Sequence, residues 1–203
     1  MNLKFLGDAL DFWKGSLLER LQRRQLLVEL AVDAMASDRA HWVKSDWGQY
    51  ASLLQMRPER IIHHEEDLGK DRDAYFKELC HEGDIFLDPD TGITTKRVDP
   101  KHLAPSELHE ILRRHPSRVA AVYQHASRTH IRERLEEIMS RLRRSDHPFC
   151  ACSYESSAVA MLFFSEDRDR VCAIYSYFRE LFGHRADQRT NVWPVGACGR
   201  PRA

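Results

Sequence analysis

The sequence predicts an α/β protein built around a mostly parallel β-sheet. Short apolar runs alternate with amphipathic stretches of helical period along most of the chain, which is the pattern of strands joined by helical crossovers. Near the end, two apolar runs at 149–154 and 158–164 are separated by a gap too short for a helical crossover, and this gap suits a hairpin. We therefore expect the parallel sheet to end in an antiparallel hairpin.

The first part of the chain predicts helices and short strands in alternation. Residues 8–24 have leucines and a tryptophan at helical spacing, with aspartates early and arginines late, as the helix dipole favours. An apolar run from Leu26 to Val32 predicts a strand that ends at Asp33, and Asp38 can cap the amphipathic helix that follows. The further predictions are a helix over 38–56, a short strand at 61–62 and a helix over 68–80.

The second part of the chain continues the alternation. Its predicted elements are a strand over 83–87, a helix over 105–114, a strand over 119–123, a helix over 129–144 and a helix over 167–182. A chain of 203 residues fits one medium domain, so we expect residues 1–195 to form a single α/β domain. The tail, residues 196–203, is rich in Gly, Pro and Arg and is expected to be loosely held.

Composition narrows the class of protein. Basic and acidic residues are equal at 31 each and the pI is near 7.2, so the molecule as a whole lacks the positive field of many nucleic-acid-binding proteins. Five cysteines without a C-x-x-C pair argue against a disulfide scaffold and a zinc ribbon, and they predict a reduced, cytoplasmic setting. No apolar run reaches the roughly 18 residues needed to span a bilayer, and we expect no leader peptide and no membrane partner.

Two acids follow the most tightly bounded apolar run of the chain. Asp88 and Asp90 come directly after residues 85–87, and open α/β sheets place their ligands at this end of parallel strands. A carboxylate pair there can coordinate a divalent cation or accept a proton from an amine. The alternative is that Asp90 merely forms a turn with Gly92. Asp84, at the other end of the run, is expected to be exposed.

His125 and Arg128 follow the next predicted strand. In a parallel sheet, the loop after residues 119–123 opens on the same edge as Asp88 and Asp90, so an imidazole and a guanidinium would converge on the acids. We predict that His125 supports catalysis and that Arg128 contacts phosphate. The alternative for His125 is an ordinary loop histidine.

A charged segment stands at the head of the first helix. Asp8 can cap that helix after Gly7, and Asp8, Asp11 and Lys14 recur at intervals of three residues, broadly along one side. These residues are expected near the ligand if the segment folds over the carboxyl edge of the sheet. For Asp11 the pattern slightly favours a solvated helix face.

Arginines are concentrated between Arg113 and Arg144. This stretch contains nine arginines and three acids, and such a cluster can bind phosphates with release of counter-ions. A nucleic acid is therefore a candidate partner for this face. The alternative is a well-solvated face without a partner.

Two segments resemble motifs of the Rossmann-type S-adenosylmethionine-dependent methyltransferases, most closely the branch that methylates the exocyclic amine of adenine in ribosomal RNA. Members of that branch begin with a Gly-Asn-x-x-Asp-x-x-Lys helix, and residues 7–14 match it with Asp8 in the Asn place. Their catalytic loop is Asp-Pro-Pro-Tyr after an apolar strand, and Asp88 and Pro89 match its first two positions. A first strand that ends in Asp33 and a closing hairpin complete the likeness.

The resemblance implies a Rossmann-like three-layer sandwich that binds S-adenosylmethionine and acts on nucleic acid. Asp88 would hold the target amine, and Asp33 or its loop would face the cofactor. Gly7, Asp8 and Lys14 would also lie at the cofactor.

The chain departs from that family at two places. The family carries a glycine-rich turn after its first strand, whereas residues 34–37 contain no glycine, and no aromatic residue follows Pro89 to stack on a flipped base. The run from Phe86 to Gly92 is also similar to a group of small bacterial proteins that share a Phe-Leu-Asp-Pro-Asp-Thr-Gly signature. A relative of the fold with a rebuilt site is therefore an open alternative.

Two further functions stay open. In a metal-dependent nuclease or phosphoesterase, Asp88 and Asp90 would hold Mg²⁺ or Mn²⁺, with Asp8 or His125 as a further ligand, and Lys96 or Arg128 would stabilise the developing charge. In a non-catalytic member of the fold, the arginine face would bind nucleic acid without chemistry.

Overall fold

The computed structural model describes residues 1–62, 68–77, 79–126, 129–143 and 148–194. The predicted tail, residues 196–203, lies outside them. The described chain is a mixed α/β fold with a six-stranded sheet, a small two-stranded sheet and helices on both faces of the larger sheet.

The helices and strands are numbered in chain order. The helices are α1 (Ala9–Arg23), α2 (Lys44–Leu53), α3 (Arg72–Lys77), α4 (Pro105–Arg114), α5 (Ile131–Leu142) and α6 (Arg168–Phe182). The strands are β1 (Ala31–Asp33), β2 (Ile85–Leu87), β3 (Gly92–Ile93), β4 (His102–Leu103), β5 (Ala120–His125), β6 (Cys150–Ser156), β7 (Val159–Ser165) and β8 (Thr190–Pro194). None of these helices is long and apolar enough to cross a bilayer.

The larger sheet has the strand order β1-β2-β5-β7-β6-β8. Strands β1, β2, β5 and β6 run in one direction and β7 and β8 in the other, so the sheet is mostly parallel in strand direction. The predicted antiparallel hairpin is confirmed as β6 and β7, and β7 lies against β5. Strand β8 was not predicted, because it is short and ends in Pro194, a residue that suits only an edge strand.

The chain reverses its direction of travel across the sheet between β1 and β2. Ile61 makes an isolated parallel bridge with Val32 on the outer side of β1, whereas β2 pairs with the inner side of β1. The carboxyl ends of β1 and β2 therefore form a topological switch point, which is where open α/β sheets bind ligands. There the backbone N–H of Asp88 donates to the carbonyl of Asp33 (3.0 Å).

The sheet divides the core into two hydrophobic clusters. Along β5, Ala120 and Val122 pack into one cluster, and Ala121 and Tyr123 pack into the other, as the two-residue period of a strand requires. Helices α3, α4 and α5 contribute to the first cluster, and α1, α2 and α6 to the second. Helix α1 thus lies on the same face as α2, and both reach the carboxyl edge of the sheet.

Three predicted elements are markedly shorter than expected, and one of them is the helix predicted over 68–80, which is confined to α3. The strand predicted from Leu26 begins only at Ala31, because Gln25 and Glu29 have left-handed backbone (φ 56° and 52°) and interrupt an extended run. The helix predicted over 38–56 is confined to α2. The Asp38 carboxylate makes no helix cap. It instead accepts hydrogen bonds from the backbone N–H of Leu3 (3.2 Å) and from the Trp42 indole N–H (3.0 Å).

Two acids that were expected to be exposed are buried. Asp84 is 1% exposed and forms an ion pair with Arg170 (2.7 Å), and Asp11 is fully buried beside Lys14. Both expectations were wrong. Asp84 is covered by Arg170, which tertiary packing brings from α6. Asp11 is covered by Lys14, because the face of α1 that carries both residues is turned inward.

Candidate functional site

A cavity of about 120 Å³ lies at the carboxyl ends of β2 and β5, under the N-terminal end of α1. It is lined by residues from four parts of the chain: Met1, Phe5, Asp8, Leu10, Asp11, Lys14, Asp88, Pro89, Asp90, Tyr123 and His125. The cavity therefore joins the charged head of α1 to the loop that follows β2 and to the end of β5, which includes His125.

Asp88 is the centre of a buried polar network. Its carboxylate Oδ2 accepts hydrogen bonds from the Lys14 ammonium (2.8 Å) and the Tyr50 hydroxyl (2.7 Å), and Asp88 is only 1% exposed. Among the described residues both side-chain bonds of Asp88 go to Oδ2, so Oδ1 is the oxygen left for a ligand. Two donors on one oxygen fix the orientation of the carboxylate.

The network holds more negative than positive charge. Lys14 pairs with both Asp88 and Asp11 at 2.8 Å, so one ammonium serves two carboxylates. Burial alone would lower the pKa of Lys14, but the two carboxylates outweigh it and the pKa is raised. Burial raises the pKa of Asp11, although Lys14 and the Gly7 N–H (2.9 Å) oppose this.

Two tyrosines border the same acids. Burial, reinforced by the nearby Asp88 carboxylate, raises the pKa of Tyr50 well above its usual value, so Tyr50 remains a hydrogen-bond donor. Burial and then Asp88 also raise the pKa of Tyr123, whose ring lies under the Lys14 ammonium at 4.9 Å from the centroid. A cation held over an aromatic face while paired with acids is strongly restrained.

The loops at the switch point turn several oxygens towards one ammonium group. The α-amine of Met1 donates to the carbonyls of Ala34 (2.8 Å), Met35 (3.0 Å) and Asp88 (2.7 Å). It also pairs with Asp90 Oδ1 (3.0 Å), and the other oxygen of Asp90 accepts from the Ser37 hydroxyl (2.6 Å). These three backbone carbonyls and the Asp90 carboxylate form what we call the oxygen cradle, and its chemistry suits a cationic amine.

The loop after β1 bends without a glycine. Met35 adopts a left-handed backbone conformation (φ 44°), and Asp33 Oδ1 holds the bend by accepting from the Met35 N–H (2.8 Å) and the Tyr75 hydroxyl (2.5 Å). Burial and the Asp33 carboxylate raise the pKa of Tyr75 well above its usual value. Asp33 and Tyr75 border a separate cavity of only about 10 Å³.

The Asp-Thr-Gly turn is clasped to β5 by one amide side chain. Gln124 donates from Nε2 to the carbonyl of Thr91 (2.8 Å) and accepts at Oε1 from the N–H of Ile93 (2.8 Å). Gly92 has φ 100°, and a Cβ there would lie 2.3 Å from Gln124 Oε1, so only glycine fits. The clasp fixes His125 beside the loop, and its backbone N–H donates to Thr91 (3.2 Å).

Most of the predicted site residues come together in the cavity around Asp88. Asp8, Lys14, Asp88, Asp90 and His125 line it, and Gly7 contacts it through its bond to the adjacent Asp11 carboxylate. Asp33 lies behind the loop, at the smaller cavity. Arg128 lies outside the described residues.

Sequence reasoning missed the two tyrosines of this network. Tyr123 stood at the end of a buried strand directly before His125, and a phenol at a carboxyl edge was an available signal. Tyr50 carried no such signal, because a tyrosine on an amphipathic helix is most simply explained as core.

Several arginines of the predicted basic face are paired with acids. Arg113 and Arg114 both contact Glu110 (2.7 and 3.1 Å), and Arg132 contacts Glu155 (2.9 Å). Glu110 and Glu155 lie outside residues 113–144, the stretch in which arginines outnumber acids. The count over that stretch therefore overstated the local positive charge.

No group of three or more His, Cys, Asp or Glu side chains within the described ranges is arranged to hold a metal ion. Lys14 pairs with Asp88 and the Met1 amine pairs with Asp90, so a cation already faces each of the two acids that were predicted as ligands. Mg²⁺ and Mn²⁺ remain alternatives to be tested by titration.

Comparisons with solved structures find neighbours of this chain, whereas comparisons with family models and curated proteins find none. A Legionella pneumophila protein assigned to the family model DUF519 has a crystal structure that aligns with a TM-score of 0.38 at 9% sequence identity. The alignment covers 76% of this chain and 58% of the Legionella protein, so this chain spans little more than half of that neighbour's length.

Proposed function

We propose that this protein is an S-adenosylmethionine-dependent methyltransferase-like enzyme that acts on an amine of a nucleic acid, with Asp88 as the group that holds the amine. The observation that carries the proposal is the 2.8 Å bond between Lys14 and Asp88. It joins the two segments on which the methyltransferase resemblance rests, although 74 residues separate them in the chain. Both segments meet at the switch point of the sheet, where α/β enzymes bind their ligands.

The oxygen cradle fits the amino-acid end of the cofactor. S-adenosylmethionine carries an α-ammonium group, and the carbonyls of Ala34, Met35 and Asp88 with the Asp90 carboxylate surround an ammonium in this structure. The left-handed Met35 supplies the bend for which the related enzymes use glycine. These groups would bind the cofactor through its methionine part, in place of the Met1 amine.

The adenosine part needs more room than the two cavities provide. Ligand pockets for molecules of this size measure about 300–1,000 Å³, against about 120 Å³ beside Asp88 and about 10 Å³ beside Tyr75. We therefore expect cofactor binding to displace the Met1 segment and to separate Tyr75 from the β1 loop. Hydrogen exchange of residues 1–8 and 72–77 with and without cofactor measures that opening.

Asp88 is suited to orient an amine. The bound cofactor would supply an electrophilic methyl group. The amine of the substrate would attack this methyl group, and Asp88 Oδ1 would accept a hydrogen bond from that amine. Lys14 and Tyr50 hold Oδ2, so the carboxylate is preorganised rather than free to rotate. Phe5 lines the same cavity and is 49% exposed, and it offers an aromatic surface that the loop after Pro89 lacks.

Cofactor binding is the first test. At a ligand concentration one hundred times Kd, binding to the folded state adds about 2.7 kcal/mol to the free energy of unfolding, which a thermal-shift titration detects readily. We expect S-adenosylmethionine and S-adenosylhomocysteine to raise the Tm without metal. A rise with Mg²⁺ or Mn²⁺ alone would contradict the proposal and favour the nuclease alternative, and no rise with any of these ligands would favour a binding module.

The Asp88→Asn variant tests the role of the carboxylate. We expect methyl transfer to RNA or DNA to fall by roughly 10²- to 10³-fold, while cofactor binding is retained, because Asn keeps the backbone carbonyl that faces the ammonium. Asp99→Asn is the control, since Asp99 pairs with His102 on the surface and lies outside the cavity. Unchanged transfer in Asp88→Asn would remove Asp88 from the site.

A further inference from the structure

A third cavity, larger than the one around Asp88, lies on the other side of α1. It is a groove of about 410 Å³ between α1, β6 and α6, lined by Trp13, Ser16, Leu17, Arg20, Tyr154, Tyr177, Phe178, Leu181 and Phe182. We refer to it as the aromatic groove. None of these residues lines the cavity around Asp88, but Trp13 is the neighbour of Lys14 in α1.

The rings of Trp13, Tyr154, Phe178 and Phe182 stack at angles of 30° or less, whereas the Tyr177 ring is tilted by 52° against that of Phe178. Trp13 and Tyr154 have centroids 5.7 Å apart with an angle of 30° between planes, and Tyr154 and Phe182 are 5.2 Å apart at 21°. Tyr177 adds a further ring beside Phe178. A planar ring can extend such a stack, because offset stacking is a favoured arrangement of aromatic rings.

The charge of the aromatic groove is positive. Arg20 is the charged side chain in its lining, and it is exposed. Arg24, one helical turn further along, lies over the ring of Tyr177 at 5.9 Å. Aromatic walls with two guanidinium groups complement a ligand that is planar and negatively charged.

We infer that the aromatic groove binds an unpaired nucleotide of a single-stranded nucleic acid. The base would stack on the open side of these rings and so extend the stack, and Arg20 with Arg24 would meet the adjoining phosphates. Aromatic side chains beside a basic surface are the common means of binding single strands, since every base has a face that can stack. This site would bind the nucleic-acid partner of the proposed enzyme. Its link to the Asp88 cavity rests on the proposed function, and the two cavities are joined through α1, where Trp13 of the aromatic groove is next to Lys14 of the Asp88 cavity.

The test is the affinity of the whole protein for labelled single-stranded oligonucleotides, by fluorescence anisotropy without cofactor. We expect Tyr177→Leu to weaken binding about tenfold, since one stacking contact is lost. We expect Arg20→Gln to weaken binding and to reduce the slope of log affinity against log salt by about 0.7, since one phosphate contact is lost. RNA and DNA strands form the two arms, with a duplex as competitor.

Matched controls lie outside the aromatic groove. Phe12→Leu removes an aromatic ring that is 60% exposed on α1 but outside the aromatic groove, and Arg57→Gln removes an exposed guanidinium elsewhere. Both controls should bind as the natural protein does. Arg20→Gln changes an exposed side chain, so a folded variant is secured even where Tyr177→Leu lowers the Tm.

The outcomes separate this inference from the proposed function. Equal affinity of Tyr177→Leu, Arg20→Gln and the natural protein would overturn the aromatic groove as a nucleotide site, as would preference for duplex or binding of free mononucleotides alone. Cofactor binding by the same preparations is scored independently. A protein that binds S-adenosylmethionine without an effect of the groove variants would overturn only the inference, and groove-dependent binding without cofactor binding would overturn only the proposed enzyme.

Discussion

The two ends of strand β2 carry one buried aspartate each, and the two are alike in burial and different in surroundings. Asp84 stands before the strand and Asp88 after it, and each is 1% exposed and paired with a cation from a distant helix. Asp88 lines the cavity at the carboxyl ends of β2 and β5, whereas Asp84 lines none of the three cavities described above. Burial and an ion pair therefore do not by themselves distinguish a structural acid from a functional one.

Asp84 is saturated by structural partners. Its two oxygens accept from the two terminal nitrogens of Arg170 (2.7 Å each), and they also accept from the backbone N–H groups of Val28 (2.6 Å) and Val119 (2.8 Å). These bonds tie α6 and the segment before β1 to the amino end of the sheet. A carboxylate whose oxygens are filled in this way has no capacity for a ligand.

Asp88 is held on one oxygen and faces groups that can titrate. Its partners Lys14 and Tyr50 are polar ends of side chains rather than backbone groups, and Asp11 adds a second carboxylate to the same ammonium. Clusters of titratable groups with shifted pKa values in a cavity mark functional sites more often than single ion pairs do. The two ends of β2 therefore differ in whether the aspartate has a carboxylate oxygen left to bind a ligand.

The largest effect is expected for Lys14→Met. Removing the ammonium leaves the carboxylates of Asp11 and Asp88 buried without their cation, and breaking a buried pair in this way costs about 3–5 kcal/mol of unfolding free energy. Urea denaturation measures it, with the exposed Lys44→Met as control. A loss below about 1 kcal/mol would contradict the buried network.

The same variant should depend on pH in a defined direction. Burial already raises the pKa of Asp11, and without Lys14 the Asp11 carboxylate of the folded state should bind a proton more readily than that of the unfolded chain. A carboxylate that binds a proton more readily when folded gains stability as the pH falls, so the deficit of Lys14→Met should narrow as the pH falls from neutral towards the usual Asp pKa of 3.8. A deficit that widens over this range would contradict the assignment.

An intermediate effect is expected for Asp84→Asn. Loss of the charge leaves Arg170 unpaired, but that side chain is 24% exposed and water screens part of the cost, so we expect about 2–3 kcal/mol by urea denaturation. Cofactor affinity of the folded fraction should be unchanged. If Asp84→Asn abolished cofactor binding while Asp88→Asn did not, the functional and structural ends of β2 would have to be exchanged.

The smallest effect per residue is expected at alkaline pH. Burial raises the pKa values of Tyr50 and Tyr75 above the usual 10.0, so the unfolded chain releases these protons from about pH 10 while the folded protein retains them. Each tyrosine then costs about 1.4 kcal/mol per pH unit above pH 10, and the raised pKa of Lys14 adds to this above 10.5. Unfolding free energies at pH 9, 10 and 11 measure the slope.

The tyrosine variants locate that slope at the carboxyl end of the sheet. Tyr50→Phe should make stability fall less steeply above pH 10, whereas Asp84→Asn should leave the slope as it is in the natural protein. A slope that Tyr50→Phe and Tyr75→Phe both leave unchanged would show that these phenols ionise freely and are not buried beside the acids.

The sequence by itself determined the elements whose signals are local. The helices α1, α4 and α6 end within one residue of their predicted bounds, because apolar spacing and the caps Asp8 and Asp167 act over a few residues. The hairpin of β6 and β7 and the two acids after β2 were predictable for the same reason. The strand before Asp33 was predicted too long because left-handed residues have no apolar signature.

The tertiary structure alone decided which charges meet. Lys14 and Asp88 are 74 residues apart, Arg170 and Asp84 are 86 apart, and Tyr50 and Asp88 are 38 apart. Burial of a charged side chain depends on whether a partner of opposite charge arrives from another element, and no local pattern encodes that arrival. The acids of β2 were therefore visible in the sequence, but their division into a structural end and a candidate functional end followed only from the packing of α1, α2 and α6 against the sheet.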